Sequence, residues 1–248
     1  MKNKKVKKLN KKIVALIPAR GGSKGVKLKN LHVLGKKPLL DWTIRASKKE
    51  KILNRIFVST DHKKIKQYAL SCGVEVHDRP KKYASDSATT YDTVKNFYHY
   101  LINNKKYKPD ILVVLEPTSP FRKKGLITEC VKEMINKKKD SIATFVLSKT
   151  HPFRIWKINK RRKPSAYFSK SKNSGWLPRQ KLKKTYELDG SVYAFFINKK
   201  FFKVKSLVFG KSLAYFLKKR DNFDLTGTEI DEKHDFKFAE IALKEKKI

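Results

Sequence analysis

The residues with the clearest chemical potential form a glycine-rich, cationic run near the N-terminus. Residues 17–30 read IPARGGSKGVKLKN, so that four basic side chains surround three glycines. The run directly follows the apolar residues IVALI, a pattern typical of a buried β-strand. Glycine lets backbone N–H groups approach an anion, while arginine and lysine supply positive charge. The run therefore predicts a phosphate-binding loop and a nucleotide substrate.

The glycine spacing separates this loop from two common nucleotide-binding motifs. Gly25 is followed by Val26, so the Walker A pattern G-x-x-x-x-G-K-[ST] is absent. Gly21, Gly22 and Gly25 do not have the G-x-G-x-x-G spacing of dinucleotide-binding folds. The alternative is an ordinary basic surface turn, since most charge runs are simply solvated.

Polar segments also follow the other predicted strands. They are Ser59–Asp61, Arg79-Pro80 with Ser85–Thr90, and Glu116–Arg122. In open α/β sheets, ligands bind outside the carboxyl ends of the strands. Together with the glycine-rich loop, these segments predict a cleft with cations on one side and hydroxyl groups on the other.

The elements that must position these segments alternate between strand and helix patterns, which is typical of a parallel sheet with crossover helices. Predicted strands are Ile13–Ile17, Arg55–Ser59, Glu75–His77, Ile111–Leu115, Ser141–Leu147 and Gly190–Ile197. Predicted helices are Leu39–Lys48, Ile65–Cys72 with Asp61 near its N-cap, Thr90–Asn103, Leu126–Asn136 and Lys233–Lys247, the last packing through Phe236, Ala239, Ile241 and Ala242. A less periodic, aromatic and basic segment, residues 149–185, is predicted to be an arm outside the sheet of a single 1–248 domain.

Composition limits the function classes. The net charge of +39 suggests a nucleic-acid-binding protein, but the lysines are spread along the whole chain and greatly outnumber the arginines that read base edges. We expect no specific nucleic-acid binding. No apolar stretch approaches the roughly 20 residues that span a bilayer. The short apolar run after the basic N-terminus lacks a signal-peptide cleavage site, and two cysteines give no disulfide framework. We expect a cytoplasmic protein without membrane contact.

Six motifs in order resemble one family. They are IPARGGSKGVKLKN, VSTD, RPKKYASDSATT, LEPTSPFR, PRQ with YELDGSVYAF, and EIDEKHDFKFAE. Together they are similar to the cytidylyltransferases that activate sialic acid and related nine-carbon 2-keto-3-deoxy acids. The resemblance covers residues 12–244. It implies a Rossmann-like α/β nucleotide-diphospho-sugar transferase fold with a mostly parallel central sheet, helices on both faces and a dimerisation arm.

The resemblance also implies residue roles, position by position. Arg20, Gly22, Ser23, Lys29, Asn30, Arg79 and Thr90 would bind CTP. Glu116, Thr118, Ser119, Arg179 and Gln180 would contact the sugar acid. Asp231 and Glu229 would hold Mg²⁺, and the catalytic group would comprise Lys29, Arg20 and Asp231.

Physical chemistry is consistent with these implied roles. Transfer of CMP to a sugar hydroxyl is an in-line attack at the α-phosphorus of CTP, for which positioning and charge stabilisation matter most. Lys29 would neutralise charge on the α-phosphate, and carboxylate oxygens suit Mg²⁺. The fork of Arg179 can grip the carboxylate of the sugar with two hydrogen bonds. The alternatives are structural: Glu229 and Asp231 could precede or cap the last helix, and Arg179 could be an ordinary cation of the arm.

Two positions depart from the family pattern. Glu116 replaces the usual glutamine, and an ionised glutamate only accepts hydrogen bonds. Near a carboxylate substrate it must face an N–H or O–H group, which favours a 5,7-diamino acid such as legionaminic acid over N-acetylneuraminic acid. Asp189 replaces the usual asparagine before Gly190, with no predicted consequence.

The predicted function is Mg²⁺-dependent transfer of CMP from CTP to a nonulosonic acid by a homodimer, with the arm reaching the second subunit. A nucleotidyltransferase for another sugar, such as a CMP-Kdo synthetase, is the alternative enzyme. A basic nucleic-acid-binding protein is the alternative of a different class.

Overall fold

The computed structural model describes residues 10–168, 174–217 and 224–245. The six predicted strands join a seventh, Ser212–Phe216, which was not predicted, in a seven-stranded sheet. The strands are β1 (Ile13–Pro18), β2 (Val33–Leu34), β3 (Lys37–Pro38), β4 (Arg55–Thr60), β5 (Glu75–Asp78), β6 (Ile111–Val114), β7 (Ser141–Leu147), β8 (Trp156–Ile158), β9 (Pro164–Ala166), β10 (Tyr186–Phe196) and β11 (Ser212–Phe216). The helices are α1 (Leu39–Lys48), α2 (Lys63–Ser71), α3 (Thr90–Asn103), α4 (Leu126–Asn136), α5 (Lys199–Lys203) and α6 (Lys233–Glu245).

The strand order confirms the mostly parallel sheet. It is β11-β7-β10-β6-β1-β4-β5. Strand β1 pairs in parallel with β4 and β6, and β4 pairs in parallel with β5, whereas β10 runs antiparallel to β6. Because the four parallel strands end at the same edge, their following loops meet there.

Helices cover both faces of the sheet, as predicted. Alternate residues of a strand point to opposite faces. On one face, Ile13, Ala15 and Ile17 of β1 share an apolar cluster with residues of α1, α2 and α4. On the other face, Phe57 of β4 packs edge-on against Phe97 of α3, with ring centroids 5.1 Å apart. Apolar side chains of helices therefore pack on both faces of the sheet.

The helix ends show which local predictions were right. Thr89 and Asp92 form a reciprocal capping box at the start of α3. Helix α2 begins next to Asp61, as predicted, with His62 as its N-cap. Asp61 accepts a hydrogen bond from the Gly21 N–H at 2.9 Å. Ile241 of α6 was wrongly assigned to packing, since 58% of its surface is exposed.

No helix in the described part of the chain is long and apolar enough to cross a membrane.

The chain divides into two compact units. The first comprises residues 1–144 and 189–248, and the second comprises residues 145–188. The predicted arm, residues 149–185, lies within the second unit. This unit contains the β8–β9 hairpin and a pair of tryptophans, Trp156 and Trp176, whose ring centroids are 6.3 Å apart.

Candidate active site

A cavity of about 370 Å³ lies in the first unit, beyond the ends of the parallel strands. Its lining residues come from the loops after β1, β5 and β6, from the start of α3 and from the segment before α6: Pro18, Arg20, Ser23, Lys24, Gly25, Lys29, Asn30, Arg79, Tyr83, Ser85, Asp86, Ala88, Thr89, Thr90, Thr93, Glu116, Pro117, Thr118, Glu229 and Asp231. Three of the four predicted cleft segments line this cavity. The fourth, Ser59–Asp61, lies behind it and supports its neighbours.

The glycine-rich loop forms the cationic wall. Asn30 is buried, and its side-chain amide donates to the carbonyl of Arg20 at 3.0 Å, which ties the two ends of the loop together. At Gly21 a Cβ atom would lie 2.7 Å from the Cβ of His62, so only glycine fits this close approach. The predicted nucleotide residue Gly22 is exposed, and it is not among the residues that line the cavity.

Arg79 provides a second, buried cation. Its Nε donates to Ser59 Oγ at 3.0 Å and its Nη2 donates to the Ser59 carbonyl at 2.5 Å. Burial lowers the pKa of Arg79 to about 10, which leaves it charged at neutral pH. Burial and the charge of Arg79 lower the pKa of His77 to about 4, and the neutral ring hydrogen-bonds Ser59 Oγ at 2.9 Å. Ser59 and His77 thus hold Arg79 at the cavity wall.

Carboxylates face the glycine-rich loop. Lys29 Nζ donates to Asp231 Oδ1 at 2.5 Å. Glu229 and Glu116 line the same cavity. The pKa of Glu229 is raised to about 7, mainly because burial restricts its solvation and also because Asp231 and Glu116 repel its charge. Burial likewise raises the pKa of Glu116. This wall therefore carries more negative charge than Lys29 alone neutralises.

The negative charge of the carboxylate wall is of the kind that a Mg²⁺ ion would neutralise. Among the described residues, no three Asp, Glu, His or Cys side chains form a ready-made metal cluster. Mg²⁺ does not require one, because it usually keeps several waters and binds one or two carboxylates together with substrate phosphates. Asp231 and Glu229 provide such a pair, and their mutual repulsion is what a cation would relieve. Asp235 accepts hydrogen bonds from the backbone N–H groups of Asp231 and Glu232 and so fixes this segment.

The predicted sugar-binding residues of the loop after β6 lie partly in the cavity wall and partly beneath it. Glu116 and Thr118 line the cavity. Ser119 is buried below it, and its hydroxyl donates to the Asp189 carbonyl. Gly190 has φ +73°, and a Cβ there would lie 2.6 Å from Glu116 Oε2. The backbone at Gly190 therefore makes room for the Glu116 carboxylate.

Sequence reasoning missed the role of Arg122, although it ends a quoted motif. All three of its nitrogens donate: Nε to the Ser191 carbonyl at 2.7 Å, Nη1 to Thr43 Oγ1 at 2.7 Å, and Nη2 to the Glu116 carbonyl at 2.6 Å. Burial lowers the pKa of Arg122 to about 10, an effect that the nearby Asp189 and Glu116 carboxylates oppose. Arg122 thus fastens the loop that carries Glu116 to the start of the buried part of β10.

Asp189 supplies part of the counter-charge for Arg122. It is buried, and one carboxylate oxygen accepts from the hydroxyl of Ser191. The other oxygen, Oδ1, has no hydrogen-bond partner among the described residues. An asparagine here would be neutral, so the departure from the family pattern adds a negative charge beneath the sugar-side wall.

Arg179 and Gln180 belong to the second unit. There they line a cavity of about 420 Å³ together with Lys149, His151, Arg154, Lys183 and Lys184. The basic side chains make this cavity a cationic one. No described carboxylate is among its lining residues.

Comparison with known proteins identifies the family. The cytidylyltransferase family model matches residues 14–205. The chain belongs to the cytidylyltransferase family. The predicted resemblance to this family is confirmed.

Relatives in the family differ in length. The chain is 37% identical to N-acylneuraminate cytidylyltransferase A of Danio rerio over 145 residues, 58% of this chain and 32% of that protein. It is 30% identical to N-acylneuraminate cytidylyltransferase of Escherichia coli over 95% of this chain and 53% of that protein. It is 29% identical to post-translational flagellin modification protein B of Campylobacter coli over 95% of this chain and 97% of that protein. The chain therefore spans about a third to half of the first two relatives, but nearly all of the third.

Solved structures confirm the fold of this cytidylyltransferase family member. A CMP:2-keto-3-deoxy-manno-octonic acid synthetase complexed with CTP matches with TM-score 0.64 and 17% identity, over 95% of this chain and 99% of that one. A 4-diphosphocytidyl-2C-methyl-D-erythritol synthase from Anaerococcus prevotii matches with TM-score 0.63 and 15% identity, over 94% of this chain and 99% of that one. At these identities the likeness establishes the nucleotide-diphospho-sugar transferase fold.

The contacts of Arg122 predict a stability effect. We expect Arg122→Gln to lower the free energy of unfolding by about 2–4 kcal/mol, because it removes charge-assisted hydrogen bonds and leaves Asp189 without its counter-charge. Urea unfolding measures this change. The matched control is Lys124→Gln, which removes the same charge from an exposed neighbour and should change stability by less than about 0.5 kcal/mol. Equal stability of the two variants would show that Arg122 does not hold the loop.

Proposed function

We propose that this protein transfers CMP from CTP to the anomeric hydroxyl of a nonulosonic acid and releases pyrophosphate. The observation that carries the proposal is the division of charge in the first-unit cavity, with the glycine-rich cationic loop on one wall and Glu116, Glu229 and Asp231 on the other. The cationic wall would bind a triphosphate. The carboxylate wall would bind a divalent cation and the hydroxyl or amide groups of the sugar. Membership of the cytidylyltransferase family supports CTP as the nucleotide.

The nucleotide side is assigned as follows. Arg20, Ser23 and the Gly22 backbone would bind the phosphates, since glycine-rich backbone and fixed cations are suited to anions. Arg79 and Thr90 would bind the cytidine portion together with Asn30. The fixed position of Arg79, held by Ser59 and His77, supports a role that depends on geometry. Arg20, Ser23, Asn30, Arg79 and Thr90 all line one cavity.

Catalysis would rest on positioning and charge. Lys29 would stabilise the negative charge that builds on the α-phosphate oxygens during in-line attack by the sugar hydroxyl. Asp231 and Glu229 are the residues that would hold Mg²⁺, which supplies further positive charge to the triphosphate when bound. In the free protein the ammonium group of Lys29 is held beside Asp231, so it is already oriented into the cavity.

The sugar side favours an acid with a hydrogen-bond donor near Glu116. Because Glu116 accepts hydrogen bonds when it is ionised, an amide N–H or a hydroxyl of a legionaminic-type acid would complement it better than a carboxylate. We assign the sugar carboxylate to Arg179, with Gln180 beside it, because guanidinium binds carboxylate with two hydrogen bonds. The high density of cations around Arg179 in the second unit supports an anionic partner.

The direct experiment is pyrophosphate release from purified protein with CTP, Mg²⁺ and a panel of nonulosonic acids. We expect release with at least one 5,7-diamino acid, and loss of release when Mg²⁺ is chelated. UTP, ATP and GTP serve as alternative nucleotides, and Kdo tests the alternative sugar. Release with none of the acids under Mg²⁺ would refute the proposed function.

Two variants on the same panel test the sugar-side assignment. Glu116→Gln should shift kcat/KM towards N-acetylneuraminic acid by about tenfold, because the amide can donate as well as accept. Arg179→Gln should raise the KM of the acid and leave the KM of CTP unchanged, whereas the matched control Lys181→Gln should change neither. An Arg179→Gln effect confined to CTP would reverse the assignment.

We also propose that the second unit joins two copies of the chain. Among the described residues, ten of the 17 exposed large apolar side chains belong to residues 145–188. Ile158 and Trp176 are 71% and 77% exposed. Concentrated apolar surface of this kind is typical of a protein interface. The arm of a symmetric dimer would contact a copy of itself or the cavity unit of the partner.

Sedimentation velocity tests this assembly. We expect wild-type protein to sediment as a dimer, and Ile158→Lys with Trp176→Lys to shift it to a monomer, because each lysine places an unpaired charge in the interface. Ile241→Lys on α6 is the matched control, since Ile241 is comparably exposed in the first unit. A wild-type monomer at all concentrations, or an unchanged dimer in the double variant, would contradict the arm's role.

A further inference from the structure

Asp86 lies opposite the glycine-rich loop and bridges two of its cations. Its Oδ1 atom is 3.0 Å from Arg20 Nη1, and its Oδ2 atom is 3.1 Å from Lys24 Nζ. The same Arg20 nitrogen donates to the Ser85 carbonyl at 3.2 Å. All four residues line the first-unit cavity. One carboxylate therefore pairs with two of the loop cations.

The chain on both sides of Asp86 forms regular structure. It follows the short helical turn Lys81–Tyr83 and precedes the Thr89–Asp92 capping box that begins α3. The hydroxyls of Ser85 and Ser87, on either side, are 3.1 Å apart. Lys24, by contrast, has 80% of its side chain exposed and no other ion pair among the described residues. Lys24 is therefore the most exposed partner of this contact, whereas Arg20 is also held by the Ser85 carbonyl.

The pair of contacts resembles what a phosphate would make. A carboxylate and a phosphate both offer oxygens to a guanidinium and an ammonium group, and a phosphate offers more charge. The charges of Lys24 and Arg20 hold the pKa of Asp86 below its usual range, so it is ionised at neutral pH. An ionised carboxylate beside a polyphosphate repels it.

We propose that Asp86 is a displaceable counter-ion, which occupies Arg20 and Lys24 in the free enzyme and must give them up when the triphosphate binds. This inference rests on the proposed function for its natural ligand, CTP. It assigns Asp86 a role in tuning affinity: competition from Asp86 weakens triphosphate binding, and its return to the two cations assists pyrophosphate release. Exposed ion pairs are individually weak, so the exchange is readily reversible.

The test is isothermal titration of inorganic tripolyphosphate and of CTP into wild-type and Asp86→Asn protein. We expect the dissociation constant of both ligands to fall about three- to tenfold in the variant. The matched control is Glu133→Gln, which removes one negative charge from an exposed ion pair with Lys137 on α4. It should leave the constant within twofold of wild type. An unchanged constant in Asp86→Asn would overturn the proposal, and a weaker one would mean that Asp86 braces the loop for the ligand.

A second variant keeps the test independent of overall charge. Lys24→Gln should weaken tripolyphosphate binding more in the Asp86→Asn background than in wild type, because only there is Lys24 already free. Equal effects in the two backgrounds would show that Asp86 does not compete for Lys24. Pyrophosphate should also inhibit Asp86→Asn turnover at a lower concentration than wild type.

The binding measurements need no turnover, so they separate this inference from the proposed function. Tighter tripolyphosphate binding by Asp86→Asn, with no CMP transfer by wild type, would leave the counter-ion role standing and remove the cytidylyltransferase activity. Wild-type CMP transfer with unchanged tripolyphosphate binding by Asp86→Asn would do the reverse.

Discussion

The contact on which the cavity depends is the ion pair between Lys29 and Asp231, which joins residues 202 positions apart. It connects the end of the glycine-rich loop to the segment before α6. Ile230, next to Asp231, makes two further contacts. Its N–H donates to the Thr118 carbonyl at 2.7 Å, and its side chain packs in an apolar cluster with Val26 of the glycine-rich loop. Because these contacts bring the segment before α6 against the glycine-rich loop, the cationic loop and the carboxylate wall face each other.

The opposed charges of the cavity are those that the proposed ligand, a polyphosphate with a divalent cation, would require. In the free protein, loop cations are balanced from within: Lys29 by Asp231, and Arg20 and Lys24 by Asp86. Burial, and then repulsion from Asp231 and Glu116, raises the pKa of Glu229. A triphosphate with its divalent cation would bring both of the missing charges at once. The net charge of the whole chain, by contrast, says little about this site.

Much of the fold was predictable because it depends on local patterns. Helices α1, α3 and α4 have the predicted bounds, since apolar residues recur at helical spacing and turn residues flank them. The glycine-rich loop and the placement of Glu116 followed from strand ends. The contacts of Arg122 and Asp86 could not be predicted, because partners of these residues lie 69 and 66 positions away and no spacing rule connects them. The contact between Asp61 and the Gly21 N–H, 40 positions apart, could not be predicted for the same reason.

The central claim is that Lys29 and Asp231 act as one unit on the α-phosphate of CTP. It is tested most directly by the transfer of label from [α-³²P]CTP to a nonulosonic acid, measured for wild type, Lys29→Met, Asp231→Asn and the double variant. Residues that act as a unit are strongly non-additive, so the account predicts transfer by wild type, and a double variant about as slow as the slower single variant. No transfer by wild type, or single-variant losses that simply multiply in the double variant, would contradict it.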